Sequence, residues 1–596
     1  MKILPVAAWL ALACTSAPSL AEGPDAVLQR LFDDERAFIY RAEPLTASSE
    51  GVHDYDHRLP SVTPAEQEHR LLADEDFLRR LRAVDRGSLS ATDQVSYDLF
   101  DFMVAQRIAL ARHREWRVPL NSDDGFHAAV LMMNEITSLE TTSDYERYIA
   151  RLNDVPRYFD ENIANMRIGM QEGFTLPAEI LAGLSKVIAA EQFKRPEDCP
   201  LFRPFEDFPD SVPAADRARL VTAGRTAIER AVIPAYARFQ KFFEQEYRPR
   251  ARTSIAASEL PGGRAYYADL VRYFTTLPDA TPEQVHQIGL AEVARIRAEM
   301  ESIVREVGFK GSFAEFLTFL RTDPQFYAKS ADQLLREAAW IAKEIDGRLP
   351  SYFGKLPRTP FTVKPVPAQL APNYTGGRYN PGATGAAGEY WVNTYALDKR
   401  PLYALPALTL HEAAPGHHLQ GALARELTNV PRFRLNFYPH AFGEGWGLYS
   451  EKLGEELGVY HTPYQRFGRL TYEMWRACRL VVDTGMHSQG WTRQQALDFL
   501  TNNTALSTHE IRTEVDRYIA WPGQALAYKI GELKILELRA RAKAALGPRF
   551  DIRAFHDAVL DSGGMTLSAL ERRIDSFIAG PDRGTTPTRQ GSRPSW

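Results

Sequence analysis

The sequence predicts a mainly α-helical protein carrying one small β element. Two observations carry this. Apolar residues recur at spacings of three and four over long stretches of both halves of the chain, which is the pattern of amphipathic helices. Runs rich in β-branched and aromatic residues are confined to one region, between 361 and 395. Taken in order, region 22–250 reads as long helices separated by proline-containing turns, among them Asp25–Ala42, Ala91–Trp116, Ser143–Glu172 and Ala214–Glu246. Pro261-Gly262-Gly263 marks a boundary. A second region, 251–580, begins with a helix over Thr281–Val307. Strands are expected at Phe361–Val366 and Glu389–Tyr395, with Asn373–Gly382 as a loop between them. Helices then resume from Leu402 to about Ala579. No repeat or low-complexity linker separates the regions, so 22–580 also reads as one integrated unit. The tail 581–596, rich in Arg, Thr, Ser and Pro, reads as disordered.

The chain has 596 residues, 44% hydrophobic and 25% charged, a globular profile. Its net charge of -5 and pI of about 6.3 argue against a nucleic-acid partner, which selects basic, clustered surfaces. The short run Arg248–Arg252 reads as a solvated face. At the N-terminus, Lys2 precedes an apolar run from Ile3 to Cys14 and then Ser19-Leu20-Ala21, the layout of a secretory signal over residues 1–21. The run is too short to span a bilayer, so stable membrane insertion after cleavage is not expected. Lipid anchoring at Cys14 is the alternative, but Ala11 stands where a lipobox prefers Leu. The expected location is periplasmic or secreted. Cys199 and Cys478 would remain after cleavage. So distant a pair makes neither a disulfide framework nor a thiolate metal site.

The chemistry concentrates at His411-Glu412-Ala413-Ala414-Pro415-Gly416-His417-His418. A catalytic zinc needs three protein ligands and an open position, with a nearby base that does not bind the metal. The usual helical arrangement places histidines at i and i+4 with a Glu after the first, but position 415 is Pro. On a regular helix, i+6 lies about 240° round and i+7 lies about 10.5 Å along the axis. Pro415 and Gly416 exclude a regular helix. A two-residue bulge would bring His417 to the place of i+4, and His418 is its rival. Glu444, in Phe442-Gly-Glu-Gly-Trp446, is the expected third ligand. Glu451, two turns on, is expected to support the site or to be a surface charge.

These motifs resemble the large bacterial family catalogued as domain of unknown function 885 (DUF885). The matching pieces are His411–Gln420, Glu444–Glu451, Arg479–His487 with Gly490-Trp-Thr492, and Pro522–Gly531, within a resemblance spanning roughly 30–580. That family looks distantly related to the helical gluzincin metallopeptidases, including the carboxypeptidase Taq and angiotensin-converting enzyme families. The resemblance implies a large two-lobed, gluzincin-like helical fold with a small sheet beside the active-site cleft. It implies Zn2+ held by His411, His417 and Glu444, with Glu412 as base. This chain departs from the carboxypeptidase Taq pattern by two extra residues between Glu412 and Gly416, so His418 stays the rival of His417 as second ligand.

Further candidates surround this set. Hydrolysis creates an oxyanion that needs donors. A late-helix tyrosine often serves in gluzincins, so Tyr528 is expected in that role, a core tyrosine being the alternative; Lys529 beside it is expected to contact substrate. Arg479 can clamp a carboxylate or pair with Asp483 one turn on. His487 can pair with Asp483 or be a structural histidine. Tyr390 and Trp391 can form a cleft wall that binds peptide by strand addition or can simply pack in the sheet. The expectation is a zinc-dependent metallopeptidase acting on short peptides in the cell envelope. The alternatives are a zinc amidohydrolase acting on a non-peptide or modified amide, and a non-catalytic binding protein.

Overall fold

Helices form where the sequence periodicity places them, and their ends follow local chemistry. The computed structural model describes residues 23–580 apart from 122–123, 369, 383–385 and 429. The signal segment with Cys14 and the tail 581–596 lie outside the described residues. Pro24–Ala42 (α1), Pro64–Arg82 (α2) and Ala91–Arg112 (α3) lead into the long Thr142–Glu172 (α4). Capping boxes at Thr141 with Asp144 and at Thr281 with Gln284 satisfy the first amides of α4 and of Pro282–Glu306 (α5). The helix expected over Ala91–Trp116 stops at Arg112, and Arg114 turns left-handed with φ 54°. The helix expected over Ala214–Glu246 widens into π turns at Ile228–Val232 and Phe243–Tyr247. Pro234 follows the first of them and has no amide to continue a regular ladder.

Three strands form a single sheet in the order β1-β3-β2: Phe361–Pro365 (β1), Gly377–Asn380 (β2) and Gly388–Val392 (β3). β1 runs parallel to β3, and β2 pairs antiparallel with Tyr379 opposite Tyr390. β2 lies inside the segment expected to be a loop. Its glycine, asparagine and proline neighbours mask four residues that become a strand through pairing rather than propensity.

The rest is helix: Leu405–Glu412 (α6), His417–Arg425 (α7), His440–Leu457 (α8), Pro463–Ser488 (α9), Thr508–Ala520 (α10) and Ala527–Leu546 (α11). The protein is mainly α. One apolar core runs from Leu59 to Ile574 without a break at 250, and a smaller one joins α1, α2 and α3 to Phe433. At the centre lies α9, buried at every position from Phe467 to His487, charged residues included. Some of its charges are paired within the core: Glu473 meets Arg469 at 2.5 Å and Lys529 of α11 at 2.7 Å. Cys199 and Cys478 are buried, and neither is in a disulfide. No helix among the described residues is long and apolar enough to cross a membrane.

Candidate metal centre and its cavity

The helix carrying His411 ends at Glu412, and a new one starts at His417. The expected bulge is thus a full break, four residues long, with a cis Ala414-Pro415 bond inside it. Trp446 of α8 pins the break by donating from its indole nitrogen to the Pro415 carbonyl at 2.8 Å. A side chain at Gly416 would collide with the carbonyl oxygens of Leu410 and His411. The break therefore folds back against the end of α6, and His417 turns towards His411. Their rings are perpendicular, with centroids 4.7 Å apart.

His411, His417 and Glu444 each offer a ligand atom, and these atoms lie within 4.8 Å of one another. The Glu444 Oε2 atom is 3.6 Å from His411 Nε2 and 3.4 Å from His417 Nε2. Tetrahedral zinc with bonds of about 2.0–2.1 Å needs ligand separations of about 3.3–3.4 Å, so these spacings fit it. The same Glu444 oxygen is buried and has no hydrogen-bond partner among the described residues, which suits an atom that would ligate a cation. Glu451 of α8 takes the other side of His411: its Oε1 lies 2.8 Å from Nδ1, which leaves Nε2 as the donor atom facing the cluster. Burial alone would lower the His411 pKa. The neighbouring carboxylates of Glu444, Glu451 and Glu412 reverse this and push it up to about 10. The pocket thus demands positive charge. Gly447 completes the cradle, because a methyl group there would sit 2.7 Å from His411 Cε1 and 2.8 Å from Nε2.

His418 points away from this cluster. Its ring packs 4.7 Å from Phe361, with Nδ1 3.4 Å from the Tyr379 hydroxyl, and burial pushes its pKa down to about 4. Glu412 lines the same cavity as the three ligand residues, and its Oε2 accepts the Tyr379 amide at 2.8 Å. In an antiparallel pair each residue faces its partner or faces away with both backbone groups. That bond therefore shows the free edge of β2 turned towards Glu412 and the cavity.

The cavity holds about 570 Å³ and is lined by Tyr528 and Arg479 among others. Three expected contacts are not there. Tyr390 is fully buried with its hydroxyl 3.2 Å from Thr409, and β3 is the central strand, so its edges are already taken. Lys529 is fully buried among Glu473, Glu532 and Glu292 at 2.6–3.0 Å. His487 is a structural histidine: Nδ1 accepts the Ala257 amide at 3.0 Å and Nε2 donates to the Tyr518 carbonyl at 2.9 Å. Asp483 bonds Tyr267 and the Gly523 amide rather than His487 or Arg479. Arg479 instead pairs with Glu514 at 2.8 Å. Residues that sequence reasoning passed over also line the cavity: Tyr438, whose hydroxyl is 3.3 Å from Glu444 Oε1, and Arg476 and Arg517. Arg476 stands one turn before Arg479 on α9, and that i, i+3 spacing was a readable signal.

Comparison with known proteins agrees with this architecture. A family model described as "Bacterial protein of unknown function (DUF885)" matches residues 44–574. A search of curated proteins finds no match. The crystal structure of a candidate lipoprotein from Colwellia psychrerythraea is similar, at 28% identity and a TM-score of 0.86, covering 94% of this chain and all of that one. A candidate lipoprotein of unknown function from Shewanella oneidensis shares the fold at 18% identity and a TM-score of 0.72, covering 93% of this chain and all of that one. The chain belongs to the bacterial DUF885 family.

Proposed function

We propose that this protein is a zinc-dependent hydrolase that cleaves amide bonds in short peptides, working in the cell envelope. The observation that carries the reading is the convergence of His411 Nε2, His417 Nε2 and Glu444 Oε2 on one side of a cavity that also holds the Glu412 carboxylate. A site meant only to hold zinc has no use for a carboxylate beside it that the ligand cluster does not include. When bound by these three donors, zinc supplies Lewis-acid polarisation and water activation.

The chain's own residues supply the remainder. Glu412, aimed by the Tyr379 amide, takes a proton from the attacking water and passes it to the departing amine. Tyr528 donates its hydroxyl to the developing oxyanion. Burial and Glu444 raise its pKa, but Arg517, Arg479 and Gln524 outweigh them and leave it below 10, which makes it a stronger donor. On the outer edge of β2 the Tyr379 amide is taken by Glu412 and the Gly377 carbonyl by the Thr375 hydroxyl, which leaves the Gly377 amide and the Tyr379 carbonyl for an extended peptide and supports a peptide over a compact amide. The resemblance to gluzincins points the same way. The lipoprotein description of the Colwellia psychrerythraea relative supports the envelope location.

The test is direct. Purified protein is expected to carry one zinc per chain by mass spectrometry and to cleave members of a short-peptide library in a chelator-sensitive way. Glu412→Gln is expected to keep its zinc and lose turnover. A protein without zinc, or an active Glu412→Gln variant, would sink the reading. Cleavage of modified amides but not of peptides would move it to an amidohydrolase.

A further inference from the structure

The part of the cavity wall contributed by α9 and α10 presents three arginines, Arg476, Arg479 and Arg517. Resting on the hydrolase reading above, we propose that they form a subsite for a carboxylate group of the substrate, next to the amide that is cleaved. Arg479 is 2% exposed, and two of its three nitrogens are committed: Nε to the Tyr518 hydroxyl at 2.9 Å and NH2 to Glu514 at 2.8 Å. Its plane lies over Trp475 and Tyr528, 4.3 and 4.2 Å from the ring centroids. These contacts fix the guanidinium rigidly. Its NH1 is buried with no hydrogen-bond partner among the described residues. A buried donor without an acceptor is costly to the fold, and such groups persist where a ligand supplies the acceptor.

Glu514 serves two of the arginines at once, lying 2.8 Å from Arg479 and 3.6 Å from Arg517. Arg476 has a 3.7 Å contact with Glu451 and a long 3.4 Å bond from NH1 to the Tyr472 carbonyl, and its Nε has no hydrogen-bond partner among the described residues. Glu510 lines the cavity beside Glu514, so what the wall leaves unanswered is hydrogen-bond capacity, at Arg479 NH1 and Arg476 Nε, rather than net charge. With Nε and NH2 committed, Arg479 offers a carboxylate the single charge-assisted donor NH1, and Arg476 offers its Nε.

Position ties this wall to the reacting centre. Arg476 touches Glu451, and Glu451 holds His411. Tyr528, whose ring covers Arg479, is the oxyanion donor proposed above. A carboxylate seated here is thus one side chain away from the scissile amide. Hydrolysis breaks that C–N bond; water gives its hydroxyl to the acyl carbon and its proton to the amine. The carboxylate is the chain terminus or an acidic side chain of the neighbouring residue.

Calorimetric binding to zinc-supplemented Glu412→Gln protein tests this without requiring turnover. The probes are trialanine, trialanine amide, and the same amide with its last residue replaced by glutamate. Trialanine is expected to bind about 100-fold more tightly than its amide, the effect of one paired, charge-assisted contact. Recovery of tight binding by the glutamate-containing amide assigns the carboxylate to a side chain, and no recovery assigns it to the terminus. In Arg479→Gln and, as a second variant that leaves Glu514 paired, in Arg476→Gln, the preference for acid over amide is expected to collapse, with Arg479→Lys intermediate. Equal binding of all three probes by the parent protein, or a preference for the carboxylate-bearing probes that survives both glutamine variants, would overturn the subsite. A preference for acid without any turnover in the native protein would keep the subsite and discard the hydrolase.

Discussion

Replacing Gly447 with alanine tests the metal cradle without touching a ligand. The new methyl carbon would sit 2.7 Å from His411 Cε1 and 2.8 Å from Nε2. Carbon atoms rest comfortably at about 3.5–4.0 Å, so the imidazole must retreat by about 0.8 Å or more. It has little room to do so, because Glu451 holds its far nitrogen at 2.8 Å. Metal–ligand distances tolerate only about 0.2 Å, so zinc affinity is expected to fall at least about 100-fold. The fold is expected to survive. Alanine in a helix interior gains about 1 kcal/mol over glycine, which offsets much of an overpacking cost of about 1–3 kcal/mol. The assay is competitive zinc titration against a chromogenic chelator, beside circular dichroism and a thermal melt. Stoichiometric zinc at native affinity in Gly447→Ala would refute the reasoning, since the displaced ring could not then be a ligand.

Other expectations follow from the same geometry. His417→Ala is expected to lose zinc, while His418→Ala, whose ring packs on Phe361 and Tyr379, is expected to retain it by mass spectrometry. Tyr528→Phe is expected to lower kcat by about 100- to 1,000-fold with little change in KM, as loss of one oxyanion donor does. Acid is expected to weaken the fold through two buried histidines away from the metal. Burial lowers His487 to about 4 and His556 to about 3, both below the unfolded value. Their stabilising contribution is therefore complete above about pH 6.5 and is lost as pH falls towards 4 and 3, on the order of 3–5 kcal/mol each. Chemical denaturation between pH 7 and 4 checks this, and in a His556→Gln variant the slope should flatten.

The helices were legible because their apolar spacing is also their burial pattern, as α4 and α5 illustrate. Glu444 and the His411 turn were legible because metal chemistry restricts residue types. What was not legible depended on contacts remote in sequence. β2 exists only because β3 pairs with it. The four-residue break at Ala413–Gly416 depends on Trp446, thirty-odd positions away. Lys529 looked functional beside Tyr528, yet successive helical positions face different directions, and its side chain enters the charged core instead. Arg479 was read with two possible partners on or near its own helix or substrate; its actual partner, Glu514, comes from α10, which no local spacing announces. His487 is likewise held by two backbone groups from elsewhere in the chain.

The two buried cysteines give the molecule a pair of internal clocks. Burial raises the Cys199 thiol to about 11 and raises that of Cys478 further, so neither offers a thiolate to reagents while its surroundings stay closed. Cys199 belongs to the packing of the first 250 residues, and Cys478 is the neighbour of Arg479 on α9. With a rapid thiol reagent, each labelling rate reads how often its own neighbourhood opens. Matching rates would mean that the distal helices and the cavity wall breathe as one body. Faster labelling at Cys199 would mean that the outer helices can loosen while the cavity wall stays closed.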